Sequence, residues 1–282
     1  MTSPVNPIQI SGLFTYPIKG AAGLSHKTIE LDERGPVWDR RWMVVDLEGL
    51  FVTQREVSRL ALIQPTFDGD HLKMSAAGAG EICIPLQRER AGVQQVTVWH
   101  SVCEAWDEGD EAAEWLSSYL NADVRLTRIA DDFQRVIDNE YSRLSARPVT
   151  HTGFADGFPL LIASEESLEA LNQRMIERGA APVPMNRFRP NVVVKGCDPF
   201  AEDTWSTIEI DGLTLDVVKP CARCVVTTVD QVTGIPNKAE PLATLNTFRK
   251  EERGVMFAQN VIHRTTGRLS VGDGIQVQTY RD

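Results

Sequence analysis

The stretch "KPCARCVVTTVDQVTG", residues 219–234, sets Cys221 and Cys224 three positions apart, with Arg223 between them and a β-rich run behind. Four chemistries compete for such a pair. Structural zinc takes four ligands, usually two CxxC pairs or one pair with two spaced histidines. Here there is one pair, and of five histidines only His263 lies downstream. A thioredoxin-type dithiol sits at a helix N-terminus after a strand, where the dipole lowers the thiol pKa. The run that follows here, "VVTTVD", is poor helix and good strand. Two core cysteines in a β turn is the third reading; Arg223 opposes it, because a guanidinium is rarely buried without an anion. The fourth is a single thiolate ligand for a metal whose other ligands come from a cofactor, a role that suits soft sulfur. Arg223 then binds a cofactor phosphate or stabilises the thiolate. Spacing alone leaves these alternatives open.

Outward from the pair, short apolar runs alternate with turn signals. Upstream, "TIEIDGLTLDVV" alternates apolar and polar on both sides of Asp211–Gly212, a two-residue hairpin signal. Downstream, "VIHRTTGRLSVGDGIQVQTY" reads as strand, glycine-containing turns, strand. "FADGFPLLIASEESLEALNQRMIERG" is a short buried strand running into a helix that starts near Ser164, with Glu165 and Glu166 at its positive end. Leu168, Leu171 and Met175 form that helix's core face, and Gly179 stops it. Nearer the N-terminus, "RWMVVDLEGLFVTQRE" reads as strand, turn at Glu48–Gly49, strand. "EICIPL" and "VQQVTVWHSVCEAW" are further strand candidates. A helix follows at "DEAAEWLSSYL", with Asp110 as N-cap and Ala113, Leu116 and Leu120 on one face. "DDFQRVIDNEYSRLSARPVTH" breaks its helical period before Pro148 and is taken as an irregular connector between two β-rich halves. "RKEER", near Arg249, is expected to be a solvated helix face. The fold class is β-dominated α+β.

Composition narrows the function. A chain of 282 residues with 42% hydrophobic and 24% charged residues is ordinary globular material for one large or two moderate domains. A net charge of −10 disfavours nucleic acid as a partner, since phosphate neutralisation needs a concentrated basic face, but it permits a local basic pocket for a small anion. The most apolar run, "FPLLIA", falls far short of the roughly 20 residues of a membrane span. The start "MTSPVNPIQI" has neither a basic n-region nor an apolar h-region. Five cysteines do not make a disulfide scaffold, and Cys83, Cys103 and Cys197 read as small core hydrophobes in a reducing, cytoplasmic compartment.

With these elements in place, the chain resembles the MOSC-domain family with its N-terminal β-barrel module, and within it the mitochondrial amidoxime reducing component and its bacterial relatives. "YPIKG" and "WDRRW" resemble the N-terminal module; "FADGFPLL", "MNRFRPNVVVKG", "AEDTW", "KPCARCVVTTVDQVTG" and "EPLATL" resemble the MOSC half. The resemblance implies a β-barrel-like module over residues 7–128, packed against a MOSC β-barrel domain with a few helices over residues 129–282. It also implies a molybdenum cofactor, Mo-molybdopterin, with Cys224 as the metal ligand, Arg223 on the pterin and Cys221 off the metal. By motif, Arg189 and Asn191 of "RPN", Lys19 of "YPIK" and Arg40 of "DRRW" join the cofactor site. Relatives carry Ser where this chain has Gly20, which leaves the backbone N–H as the contact there. Guanidinium forks match phosphate oxygens, and converging cations suit a pterin phosphate. Asp156 of "FADG" is a candidate catalytic proton relay; Asp230 of "TTVD" has the turn role as its stronger reading, and Asp203 holds an arginine. Pyridoxal phosphate binding comes with the resemblance only as a family-level attribute.

The activity so implied is reduction of N-hydroxylated compounds: N-hydroxylated bases, hydroxylamines and amidoximes. Electrons are expected from a separate donor, a ferredoxin or a flavin or haem reductase. No iron–sulfur domain and no targeting or anchor segment are expected, since up to Asp282 the sequence offers no cysteine cluster for the one and no leader pattern for the others. The rival is a cofactor carrier or sulfur-transfer protein in which Cys224 holds a persulfide. A metal-free β-barrel interaction module is the third reading.

Overall fold

The computed structural model describes residues 7–87, 92–142, 151–237 and 239–281. Expectations that fall on residues 1–6, on Leu144 and Pro148, or on Asp282 lie outside the described residues. The architecture is β-dominated with few helices, as expected. Among the described residues the largest sheet has nine strands. It runs Leu24–His26, Gln9–Thr15, Val192–Lys195, Leu160–Ser164, Gly254–His263, Leu213–Arg223, Trp205–Ile210, Ile275–Tyr280, with Lys250–Glu251 also paired to Gly254–His263. One core on it gathers Ile10, Leu13, Ile29 and Leu31 with Ile162, Val194, Trp205, Ile208 and Leu215, and another takes Leu161, Ala163, Phe257 and Ala258. Early strands therefore pair with late ones in two sheets: Gln9–Thr15 pairs with Val192–Lys195 in the nine-stranded sheet, and Thr28–Asp32 pairs with Gly267–Ser270 in a separate three-stranded one. The expected division between residues 128 and 129 is crossed by these hydrogen bonds.

The rest of the first half forms a four-stranded sheet of Trp42–Val45, Arg125–Ile129, Ser101–Asp107 and Val93–Val98, and a three-stranded meander over Gln64–Asp68, His71–Ala76 and Gly80–Pro85. A second core of Trp42, Leu60, Leu72, Ile84, Leu116 and Leu126 fills it. Among the described residues no helix is long and apolar enough to cross a membrane.

Local chemistry explains the elements that the pattern predicts. Asp211 and Gly212, at φ 47° and 78°, make the tight turn that closes Ile210 on Leu213. Leu160–Ser164 and Val192–Lys195 are parallel, so a crossover is required, and the helix Glu165–Glu177 supplies it. Ser164 caps that helix, its hydroxyl accepting the Ser167 N–H at 3.1 Å.

Four expectations are corrected. The helix Asp110–Leu120 has Gly109, not Asp110, at its N-cap; the Asp107 carboxylate accepts the Gly109 N–H at 2.6 Å, and Asp110 lies in the first turn. "RKEER" is no helix face: Lys250–Glu251 is a strand that turns back on Gly254–His263. Cys83 is exposed, because the strand alternation that turns Ile82 and Ile84 inward turns it out. The run after Gly49 makes only isolated bridges, Val45 to Phe51 and Leu50 to Thr97, and then leaves the sheet in a turn. The connector holds a two-residue strand, Arg135–Val136, and one helical turn, Asn139–Ser142, before residue 143.

Candidate active site

The strand Leu213–Arg223 carries "CAR" to the edge of a cavity of about 170 Å³, and Cys224 follows in extended geometry, φ −120° and ψ 179°. Val225–Thr228, expected as strand, is instead a short 3-10 turn opened by Cys224, whose carbonyl accepts the Thr227 N–H at 3.1 Å and the Thr227 hydroxyl at 2.9 Å. Arg187 braces this turn from behind, donating to Thr228 O at 2.8 Å and to the Asp230 carboxylate at 2.8 Å. Asp230 Oδ1 also accepts the N–H groups of Val232 and Thr233, so Asp230 holds a turn. Asp203 pairs with Arg249 at 2.6 Å. Cys221 and Cys224 are both free thiols. Among the described residues no group of three His, Cys, Asp or Glu converges on a metal site.

Lys19, Gly20, Arg40, Asp156, Arg189, Asn191, Arg223 and Cys224 all line this one cavity. The N-terminal contributors are locked by backbone contacts. The Lys19 N–H donates to Trp42 O at 2.8 Å and the Arg40 N–H to Tyr16 O at 2.8 Å, while Asp39 accepts the Tyr16 N–H at 2.7 Å. Gly153 permits a close approach between the halves. A Cβ there would sit 2.6 Å from Arg40 O, the atom that accepts the Phe154 N–H at 2.7 Å. Gly20 has φ +86°, a conformation that disfavours a serine there.

The cationic end centres on Tyr16, whose buried ring has the guanidiniums of Arg40 and Arg189 at 4.3 and 4.2 Å from its centroid. Arg40 donates to Asp39 at 2.6 Å and to Asn191 Oδ1 at 3.1 Å, and Asn191 Nδ2 donates to Asp39 Oδ1 at 3.1 Å. Burial pushes the Tyr16 phenol up to about 12 and pulls Arg189 down to about 10, which leaves that guanidinium charged at neutral pH. Arg223 donates to Phe188 O at 2.7 Å and to Cys221 Sγ at 2.9 Å. Its Nε is buried and has no hydrogen-bond partner among the described residues.

At the other end Lys19 donates to Phe154 O at 2.8 Å and pairs with Asp156 at 2.5 Å. Burial lowers the Lys19 pKa against the upward pull of Asp156. Desolvation would raise the Asp156 carboxyl, but the Lys19 charge and the hydrogen bonds from Lys19 and Trp99 reverse this and hold it below the ordinary carboxylate range. The Asp156 side chain is 76% exposed, so solvent screens much of that pair. Arg135, buried beneath, donates to the carbonyls of Gly153, Ala155 and Asp156 and shapes this loop.

Sequence reasoning missed Gln54, Trp99, Arg135, Arg187 and Gln231 as parts of the site. Gln231 stands inside a quoted motif without having been singled out. Trp99–His100 between two strand runs is a two-residue turn without the usual glycine.

Five cations and two thiols line a cavity shared by two β-rich halves, a lining suited to an anionic group beside soft sulfur. Both halves match known family models. The MOSC N-terminal beta barrel domain matches residues 8–123, and the MOSC domain matches residues 149–276. The chain is 33% identical to mitochondrial amidoxime-reducing component 1 of Homo sapiens over 280 residues, 94% of this chain and 82% of that one. It is 34% identical to mitochondrial amidoxime reducing component 2 of Bos taurus over 280 residues, 94% and 82% of the two chains. The chain belongs to the MOSC-domain family of the amidoxime-reducing components.

Proposed function

We infer that the protein is a reductase of N-hydroxylated compounds that works with a molybdenum pterin cofactor. The observation that carries this reading is the convergence of Cys224 with Lys19, Arg40, Arg189 and Arg223 on one cavity. The donor set fits the group: a soft sulfur for the metal, guanidinium forks for a phosphate, and the unpartnered Arg223 Nε for one further acceptor. The bound cofactor would supply two-electron removal of oxygen from an N–O bond.

The chain's own residues orient and hold charge. Cys224 ligates through its thiolate, and the turn braced by Arg187 fixes where that sulfur stands. Arg40, Arg189 and Arg223 bind the anionic tail, with Asn191 fixing Arg40. The net reaction, R–NHOH + 2e⁻ + 2H⁺ → R–NH₂ + H₂O, needs two protons. Asp156, kept ionised, serves as counter-ion to the Lys19 ammonium, and Lys19 Nζ is the proton-bearing group at that end. The electrons come from a separate protein donor of the ferredoxin or flavin or haem reductase class.

Purified protein from a molybdate-replete host should carry molybdenum and pterin and reduce benzamidoxime or N-hydroxycytosine with an artificial donor. Cys224→Ser should lose metal and turnover together. Full turnover in that variant would overturn the assignment. Pterin without turnover, or a persulfide on Cys224 by mass spectrometry, would favour the carrier or sulfur-transfer reading.

A further inference from the structure

The cavity has two chemically different ends. Contacts among Tyr16, Arg40, Arg189 and Asn191 define the cationic one. Phe51, Trp99 and Arg55 gather at the other, beside Lys19 and Asp156. Trp99 belongs to a two-residue hairpin tip between Val93–Val98 and Ser101–Asp107, closed by the pair Val98 and Ser101. Its φ of 54° is a conformation that suits glycine or asparagine and that a bulky side chain adopts only under constraint. Three contacts supply the constraint. The indole N–H donates to Asp156 Oδ1 at 3.0 Å across the two halves. The Arg55 guanidinium lies 4.6 Å from the ring, and the Phe51 ring centroid is 5.0 Å away at 57°. The residue nevertheless remains 36% exposed while lining the cavity. A hairpin tip needs no tryptophan for stability; a fixed, backed and partly open indole is a surface for another ring.

We propose that Trp99 is a specificity-determining residue: its indole, backed by Arg55 and Phe51, is the wall on which the ring of an aromatic or heteroaromatic N-hydroxylated substrate stacks. The inference rests on the reductase reading. It separates substrates by shape, because an aliphatic hydroxylamine has no π-face to offer this wall.

The test compares wild type with Trp99→Ala and Trp99→Phe, all loaded with cofactor, on benzamidoxime and on N-methylhydroxylamine. Trp99→Ala should lower the ratio of the two kcat/KM values about tenfold, mainly through KM for the aromatic substrate, and Trp99→Phe should restore most of it. An unchanged ratio overturns the proposal. Loss of pterin or molybdenum content in Trp99→Ala also overturns it, since Trp99 would then be a cofactor contact. A second readout needs no turnover: benzamidine should quench the wild-type tryptophan fluorescence and leave Trp99→Phe unaffected. Equal quenching in both, or none in wild type, overturns the stacking. A wild type that reduces neither substrate strikes the reductase reading itself, while the fluorescence titration still decides the stacking.

Discussion

Gln54 and Gln231 face each other across the two halves, each amide donating to the other's carbonyl oxygen, at 3.2 and 3.0 Å. Both are buried, and each also serves the cavity: Gln54 donates to Gly20 O at 2.5 Å, and Gln231 accepts from Arg189 at 3.3 Å. Removing one partner leaves a buried amide unsatisfied, at a cost of about 1–3 kcal/mol. Gln231→Leu is therefore expected to lower the urea midpoint clearly. Gln54→Leu with Gln231→Leu should cost less than the sum of the singles, which a double-mutant cycle measures. Purely additive losses would mean that the two amides do not interact. Nothing local announces this pair, whose members stand 177 residues apart. Lys19, Arg40, Arg189, Asn191, Arg223 and Cys224 were legible because each sits in a short motif, whereas Gln54 and Trp99 acquire their places only when the two halves meet.

Elements were legible where one local rule governs and illegible where a tertiary partner overrides it. The helix Glu165–Glu177 begins at Ser164, as its hydroxyl dictates. The sequence around it does not disclose Glu202, a fully buried carboxylate that accepts from the hydroxyls of Ser164 and Ser167 at 3.0 and 2.8 Å. Its partners are hydroxyls and N–H groups, which offset only part of the desolvation, so burial raises its pKa above the ordinary value. The folded chain then binds this proton more tightly than the unfolded chain. Its stabilising contribution is complete below the ordinary carboxylate pKa and is lost as pH rises through the raised value. Glu202→Gln keeps polar contacts without the charge, so its stability relative to wild type should improve between pH 5 and pH 8. Urea denaturation of both proteins at the two pH values checks the sign; a constant difference would show that the folded chain holds Glu202 ionised across this window, as the unfolded chain does. By the same logic "RKEER" misleads, because its charges suit a helix surface while pairing with Gly254–His263 makes it a strand.

The whole molecule is less divisible than its two matched regions suggest. Residues 149–276 carry the MOSC match, yet one core on the nine-stranded sheet also contains Ile10, Leu13, Ile29 and Leu31. Burial of such side chains is worth about 1.5–3 kcal/mol each, so the four contribute about 6–12 kcal/mol. That is comparable to the whole stability of a typical domain, about 5–15 kcal/mol. Losing the strand Gln9–Thr15 would also leave Val192–Lys195 as an open edge, with N–H and C=O groups that Gln9–Thr15 now pairs. A fragment covering residues 149–281 is therefore expected to be unfolded or aggregated, although it holds Arg189, Asn191, Arg223 and Cys224. The full chain should unfold in one cooperative transition, because two sheets and one cavity join its halves. Far-UV circular dichroism and NMR dispersion of the fragment, with calorimetry of the full chain, read both outcomes. A monomeric, well-dispersed fragment, or two separate thermal transitions in the full chain, would show that the early strands decorate the late sheet rather than complete it.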